Sequence, residues 1–237
     1  MELLNHLDFG YTLHELGPLL MKALGLVGEA VVLGYLLGFI LALLFAFARI
    51  SKKHKIIKAL VTLLIEVIRG TPLLVQLVYM YYVVPLLIQL VLSWFGINSQ
   101  IEMTAMTAGV IGLGIHYGCY MSEVIRSAIE SIDIGQTEAA LALGFSEKQA
   151  LFGVVVPQAL KNSLPVFGNY LVMIVKDTSL LSYVALPEML LITKTFASQT
   201  FHTIEGYTLL AGVYLLISVP LSLIVKYVEK RMKLGQV

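Results

Sequence analysis

Long apolar runs, separated by short clusters of charge, dominate this chain. Crossing the hydrocarbon core of a bilayer takes about 20 apolar residues in a helix. Five segments fit, at about residues 24–47, 56–92, 103–125, 165–186 and 207–227. The pattern predicts an all-α integral membrane protein with five transmembrane helices, organised as one transmembrane domain over residues 1–237. The second segment is too long for one simple crossing. It carries Glu66, Arg69, the breaker run Gly70-Thr71-Pro72 and then Pro85, which predicts a kinked or tilted helix. Ahead of the first span, Thr12 to Lys22 is short and partly apolar, and reads either as an interfacial helix on the outer leaflet or as a frayed terminus.

Composition agrees. Hydrophobic residues make up 58% of the chain and charged ones 13%, with a mean hydropathy of +0.87; soluble domains carry about a quarter charged residues. So much apolar surface needs lipid as a solvent. A net charge of +1 gives no electrostatic footing for nucleic acid. Cys119 is the only cysteine, which excludes an internal disulfide and a Cys-based zinc or iron–sulfur site within the chain. The histidines are scattered and form no HExxH motif, so no metal site is expected. The start carries Glu2, Asp8 and Glu15 and lacks a basic stretch followed by an apolar run, so no cleaved signal peptide is expected.

Basic residues set the expected orientation. Arg49, Lys52, Lys53, Lys55 and Lys58 follow the first span; Arg126, Lys148 and Lys161 follow the third; Lys226, Lys230, Arg231 and Lys233 lie in the tail. Basic loops stay in the cytoplasm. The N-terminus is therefore expected outside and the C-terminus inside. Trp94, Phe95, Tyr11 and Tyr207 then fall near the outer interface.

The link at about 127–164 is long for a loop in so small a protein. Thr137 is placed to cap a helix ending near Leu143, with Gly144 as its stop. Ser146 is placed to cap a second, amphipathic helix from Glu147 to Val155. Ala139, Ala140, Ala142 and Gly144 are small enough to let another backbone approach. Sealing the underside of the bundle and docking a partner are equally open on these grounds.

The same link resembles the signature loop of ABC-importer permeases. Glu138-Ala139-Ala140, then Gly144, then Val154, Val156 and Pro157 fall at the family spacing, with valine in place of the usual isoleucine and leucine. RGTPLLVQL (Arg69 to Leu77), YMSEVIRSAI (Tyr120 to Ile129), GQTEAALALG (Gly135 to Gly144), KDTSLLS (Lys176 to Ser182) and LPE (Leu186 to Glu188) resemble the polar amino-acid branch, the histidine/glutamine/arginine/cystine type. The first span departs most, with Glu29 where the family has small or hydroxyl residues.

The resemblance implies a type I importer permease fold with a cytoplasmic coupling-helix loop, in a bacterial cell (inner) membrane. It implies a second permease subunit, identical or homologous, and a dimer of ATP-binding cassette ATPases docked on the loop through Glu138, Ala139, Ala140, Gly144 and Pro157. It also implies an extracellular or lipid-anchored binding protein that delivers a polar amino acid. The chain has no GxxxxGK[ST] phosphate loop, so ATP and magnesium belong to the partner ATPase; the chain itself holds no cofactor and is no enzyme.

Charge inside a membrane is costly and normally faces a cavity or a partner. At 1.5 Å rise per residue, Arg69, His116 and Asp177 fall roughly 18–21 Å along their spans, near the bilayer middle. Gln76, Tyr79, Tyr82, Tyr120 and Ser179 join them as the candidate substrate pathway. Arg69 and Asp177 read as a structural ion pair, or as partners for the two ends of a zwitterion. His116 reads as a determinant of substrate choice, or as a core histidine. Glu66, Glu123 and Arg126 sit nearer the inside as structural or gating residues, with Glu123 and Arg126 three apart on one helix face. The competing reading, a secondary transporter or channel working without an ATPase, would usually show internal repeats; none is visible.

Overall fold

The computed structural model describes residues 7–50 and 54–234. Glu2, Lys52 and Lys53 lie outside them. Among the described residues there are only helices and turns: α1 (Phe9–Ile50), α2 (Lys55–Arg69), α3 (Leu73–Val78), α4 (Val84–Trp94), α5 (Ala105–Glu130), α6 (Ile134–Ala142), α7 (Glu147–Ala150), α8 (Val156–Asp177), α9 (Met189–Thr200) and α10 (Thr203–Leu234). Four helical stretches are long and apolar enough to cross a membrane: Phe9–Ile50, Leu73–Trp94, Glu147–Val184 and Thr203–Met232. Helix α5 has 26 residues and carries Glu123 and Arg126 in its C-terminal half.

Several boundaries differ from those the hydropathy predicts. Neither a separate interfacial helix nor a frayed end precedes the first span; α1 is one helix of 42 residues that runs through Pro18. The second segment breaks at Gly70-Thr71, as its breaker run predicts, and resumes as α3 with Pro72 as N-cap. A π turn over Tyr79–Val83 then leads into α4, where Pro85 is near the start. A second π turn, Leu151–Val155, joins α7 to α8 just ahead of Pro157. Proline has no N–H for the carbonyl four residues back, and a widened turn re-pairs the freed group. The 12-residue α9 was not predicted.

The loop at 127–164 is mostly helix. Helix α5 continues to Glu130, and the helical run that includes α8 begins at Glu147, ahead of the predicted start at 165. Asp133, not Thr137, caps α6: its carboxylate accepts from the Gly135 N–H at 2.7 Å. Gly144 ends the turn with φ +89°, a conformation that favours glycine. Ser146 forms the expected cap, with Gln149 returning the hydrogen bond to complete a capping box.

The chain folds as two compact units, Met1–Tyr35 with Pro72–Leu113 and Leu171–Leu223, and Leu36–Thr71 with Gly114–Tyr170 and Ile224–Val237. In the first, Leu16, Leu20, Ala23, Val27 and Ala30 of α1 form a buried seam. Gly109 and Gly112 of α5 receive the side chains of Leu181 and Leu77; a Cβ there would meet them at 2.8 and 2.7 Å. Glu188 is fully buried and caps α9, accepting from the Leu190 and Leu191 N–H groups at 2.8 Å and from the Tyr214 hydroxyl at 3.4 Å.

Burial pushes the Glu188 carboxyl above the ordinary carboxylate range, against the opposing pull of those donors. The folded state therefore holds its proton more tightly than the unfolded chain does. Its stabilisation is full below the ordinary value of about 4.3 and is lost as pH rises through the raised one. Glu188→Gln keeps an acceptor without the charge. Scanning fluorimetry in detergent across pH 4–8 is expected to show wild type losing melting temperature relative to this variant as pH rises. Parallel curves would refute it.

In the second unit, α1 crosses α5 at Gly38, whose Cβ would meet the Gly114 carbonyl oxygen at 3.2 Å and the Gly118 nitrogen at 3.4 Å. Without side chains at these positions the two backbones come into direct contact. Phe39 meets Phe167 edge-on at 5.6 Å, and Phe47 packs on Phe152 at 5.2 Å.

Candidate functional site: a polar-lined cavity and an exposed loop

A cavity of about 500 Å³ opens in the second unit. Arg69 reaches it from the last residue of α2. Helix α5 contributes Tyr120, Glu123 and Ser127, which recur at helical spacing along one face, and Ser131 follows just past its end. Helix α8 contributes Asn162, Ser163 and Tyr170 in the same way. Of the lining residues, Arg69 and Glu123 alone are charged.

The Arg69 guanidinium lies 5.6 Å over the Tyr120 ring, a cation–π distance. Tyr120 packs against Tyr170 at 6.4 Å, and Tyr170 against Tyr117 at 5.8 Å. His116 stacks on Tyr120 at 4.9 Å and meets Tyr117 edge-on at 5.3 Å. It does not line this cavity itself. Of the pathway candidates, Arg69 and Tyr120 share the cavity wall. Gln76, Tyr79, Asp177 and Ser179 belong to the first unit, where Tyr79 is half exposed on its π turn and Asp177 ends α8.

Glu123 is more tightly held than its spacing to Arg126 predicts. One carboxylate oxygen accepts from Arg49 Nη1 of α1, and the other from Arg126 Nε at 3.1 Å and from Arg126 Nη2. Arg126 also reaches Glu130. The Arg49 link spans 74 positions, so no local spacing announces it. Glu66 is exposed on α2.

The residues of the loop expected to meet a partner are not among those lining the cavity. Glu138, Ala139 and Gly144 are exposed, Ala140 is buried against its own unit, and Pro157 is exposed at the second position of α8. Leu143 is 81% exposed and Ile134 71%. No group of three or more His, Cys, Asp or Glu side chains is placed to hold a metal among the described residues.

Apolar helices and a cavity of small-solute size with several polar side chains suit a membrane transport protein. Residues 23–234 match the binding-protein-dependent transport system inner membrane component family, and the chain belongs to it. It is a multi-pass protein of the inner membrane, a non-catalytic permease subunit of an ATP-driven transporter whose ATPase is a separate subunit.

Two relatives illustrate the range. A probable amino-acid ABC transporter permease protein, y4tG, of Sinorhizobium fredii is 34% identical over 90% of this chain and 86% of its own. The glutamine transport system permease protein GlnP of Escherichia coli is 33% identical over 92% and 94%. Among solved structures, an amino acid ABC transporter with histidines superposes with a TM-score of 0.81 at 32% identity, covering 95% of this chain and 99% of that one. The inward-facing MetNI methionine ABC transporter shares the fold, with a TM-score of 0.61 at 18% identity.

Proposed function

We propose that the chain forms the translocation pathway for a polar amino acid, with Arg69 receiving the solute carboxylate in the cavity of the second unit. The cavity itself carries this reading: one guanidinium, two tyrosines and a set of hydroxyl and amide groups in a space that fits one amino acid. Arginine pairs with carboxylates through two parallel hydrogen bonds. Every amino acid offers a carboxylate, so this contact suits any side chain. The relatives named above for glutamine and for amino acids support the substrate class.

Five spans, with the N-terminus outside and the C-terminus inside, follow from the basic links. Gln76, Tyr79, His116, Asp177 and Ser179 extend the pathway, with His116 acting through Tyr120 rather than on the solute. A second permease, identical or homologous, completes the pathway. An ATPase dimer docks on the loop from Gly135 to Pro157, and an extracellular or lipid-anchored binding protein delivers the solute.

The test is uptake by the reconstituted complex against a panel of amino acids, sugars and divalent cations. Polar amino acids are expected to compete and the others not. Arg69→Gln is expected to lower uptake by about tenfold or more, the scale of one lost charge-assisted hydrogen bond, with expression unchanged. Competition by sugars or cations alone would overturn the substrate class.

A further inference from the structure

Glu123 is the one carboxylate on the cavity wall, and neither of its oxygens faces the cavity alone. It lies one helical turn from Tyr120, over which Arg69 sits. A solute held by its carboxylate at Arg69 brings an ammonium group within a few ångströms. An unengaged Glu123 would complete a two-ended clamp, since opposite charges in a partly dry cavity attract strongly. A transport pathway needs the reverse near its exit: binding weak enough for the solute to leave.

The wall is built against a clamp. Arg49 comes from a different helix to take one oxygen, and Arg126 takes the other. The side chains of both are largely shielded, at 13% and 25% exposure. Glu130 compensates Arg126 in turn, so the four-residue cluster is neutral as a whole. Beyond Glu123 toward Ser131, the lining residues are uncharged.

We propose that Arg49 and Arg126 are release residues: by occupying both oxygens of Glu123 they keep the cavity from trapping the ammonium group of the departing amino acid. This rests on the cavity being the amino-acid pathway. They are positioning residues that act through Glu123 and do not touch the solute.

The experiment compares wild type, the double variant Arg49→Gln/Arg126→Gln, and the triple variant that adds Glu123→Gln. Each is purified with its ATPase subunits in lipid nanodiscs. Equilibrium binding of radiolabelled glutamine is measured without the binding protein, and uptake is measured in proteoliposomes with it. The double variant is expected to bind glutamine about tenfold more tightly and to transport it about tenfold more slowly. The triple variant is expected to return both values to within about threefold of wild type.

A purely structural role for the arginines predicts the opposite pattern, with affinity and uptake falling together and no recovery in the triple variant. That result, or unchanged affinity in the double variant, overturns the proposal. Should the double variant fail to assemble, Arg49→Gln alone frees one oxygen and is expected to tighten binding by about threefold; no shift overturns the proposal equally. If Arg69→Gln leaves uptake intact and no variant binds glutamine, the cavity reading fails and this proposal falls with it. If Arg69→Gln cuts uptake but freeing Glu123 does not tighten binding, only the release role fails.

Discussion

Replacing Gly118 with leucine is expected to remove folded protein from the membrane fraction. A Cβ at Gly118 would meet the Leu41 Cβ at 2.9 Å and the Gly38 carbonyl oxygen at 3.1 Å, and these neighbours are backbone or close to it. Neither swings aside as the end of a flexible side chain could. Overfilling a packed contact costs about 1–3 kcal/mol even for small additions, so Gly118→Ala is expected to lower the melting temperature and Gly118→Leu to prevent the crossing. Gly25→Leu is the control, because nothing lies within 4 Å of its Cβ position. Fluorescence-detected gel filtration of tagged protein reads all three. A monodisperse, thermally unchanged Gly118→Leu protein would show that the helices do not cross there.

The docking loop yields the second large effect. Leu143→Asp is expected to leave folding and membrane insertion intact while the ATPase subunits no longer co-purify. Leu143 is 81% exposed, so within this chain the new carboxylate meets only solvent. Within the proposed interface it would be buried without a partner. Loss of a central interface residue is worth about 2–4 kcal/mol, so uptake is expected to fall by about a hundredfold. Unchanged co-purification and uptake would move the docking site off the loop.

The membrane class, the apolar spans and the break at Gly70-Thr71 were legible because hydropathy and breaker residues report them directly. Helix ends were not. Hydropathy marks where a helix needs lipid, while backbone hydrogen bonding carries α1 back to Phe9 and the run that includes α8 back to Glu147. Helix α9 escaped because it is short and carries Lys194, Thr193 and Thr195 among its apolar residues. Thr137 stands nearer the alanine run, yet Asp133, four positions upstream, captures the Gly135 N–H.

At the site, Arg69, Tyr120, Glu123 and Arg126 stood out as polar groups within apolar spans. Ser127, Ser131, Asn162 and Tyr170 did not, although their i, i+4 and i, i+8 recurrence in two stretches was present in the sequence. Arg49 could not be matched to Glu123 at all, since tertiary folding alone brings those positions together.

The widened turn at Leu151–Val155 has a consequence for how the docking loop and the cavity are geared together. It lies in one continuous helical run between Ser146, at the loop, and Tyr170, on the cavity wall. An ordinary α-turn there would hold one residue fewer. Each residue of helix advances the rod by about 100° of rotation. A one-residue deletion that closes the wide turn would leave Asn162 and Tyr170 in phase with Tyr120 and Glu123, whereas the same deletion in the α-helical stretch beyond it, with the wide turn kept, would swing them about 100° away. The wide turn thus stores one spare residue without disturbing the rotational phase between the loop and the wall along which a solute would move.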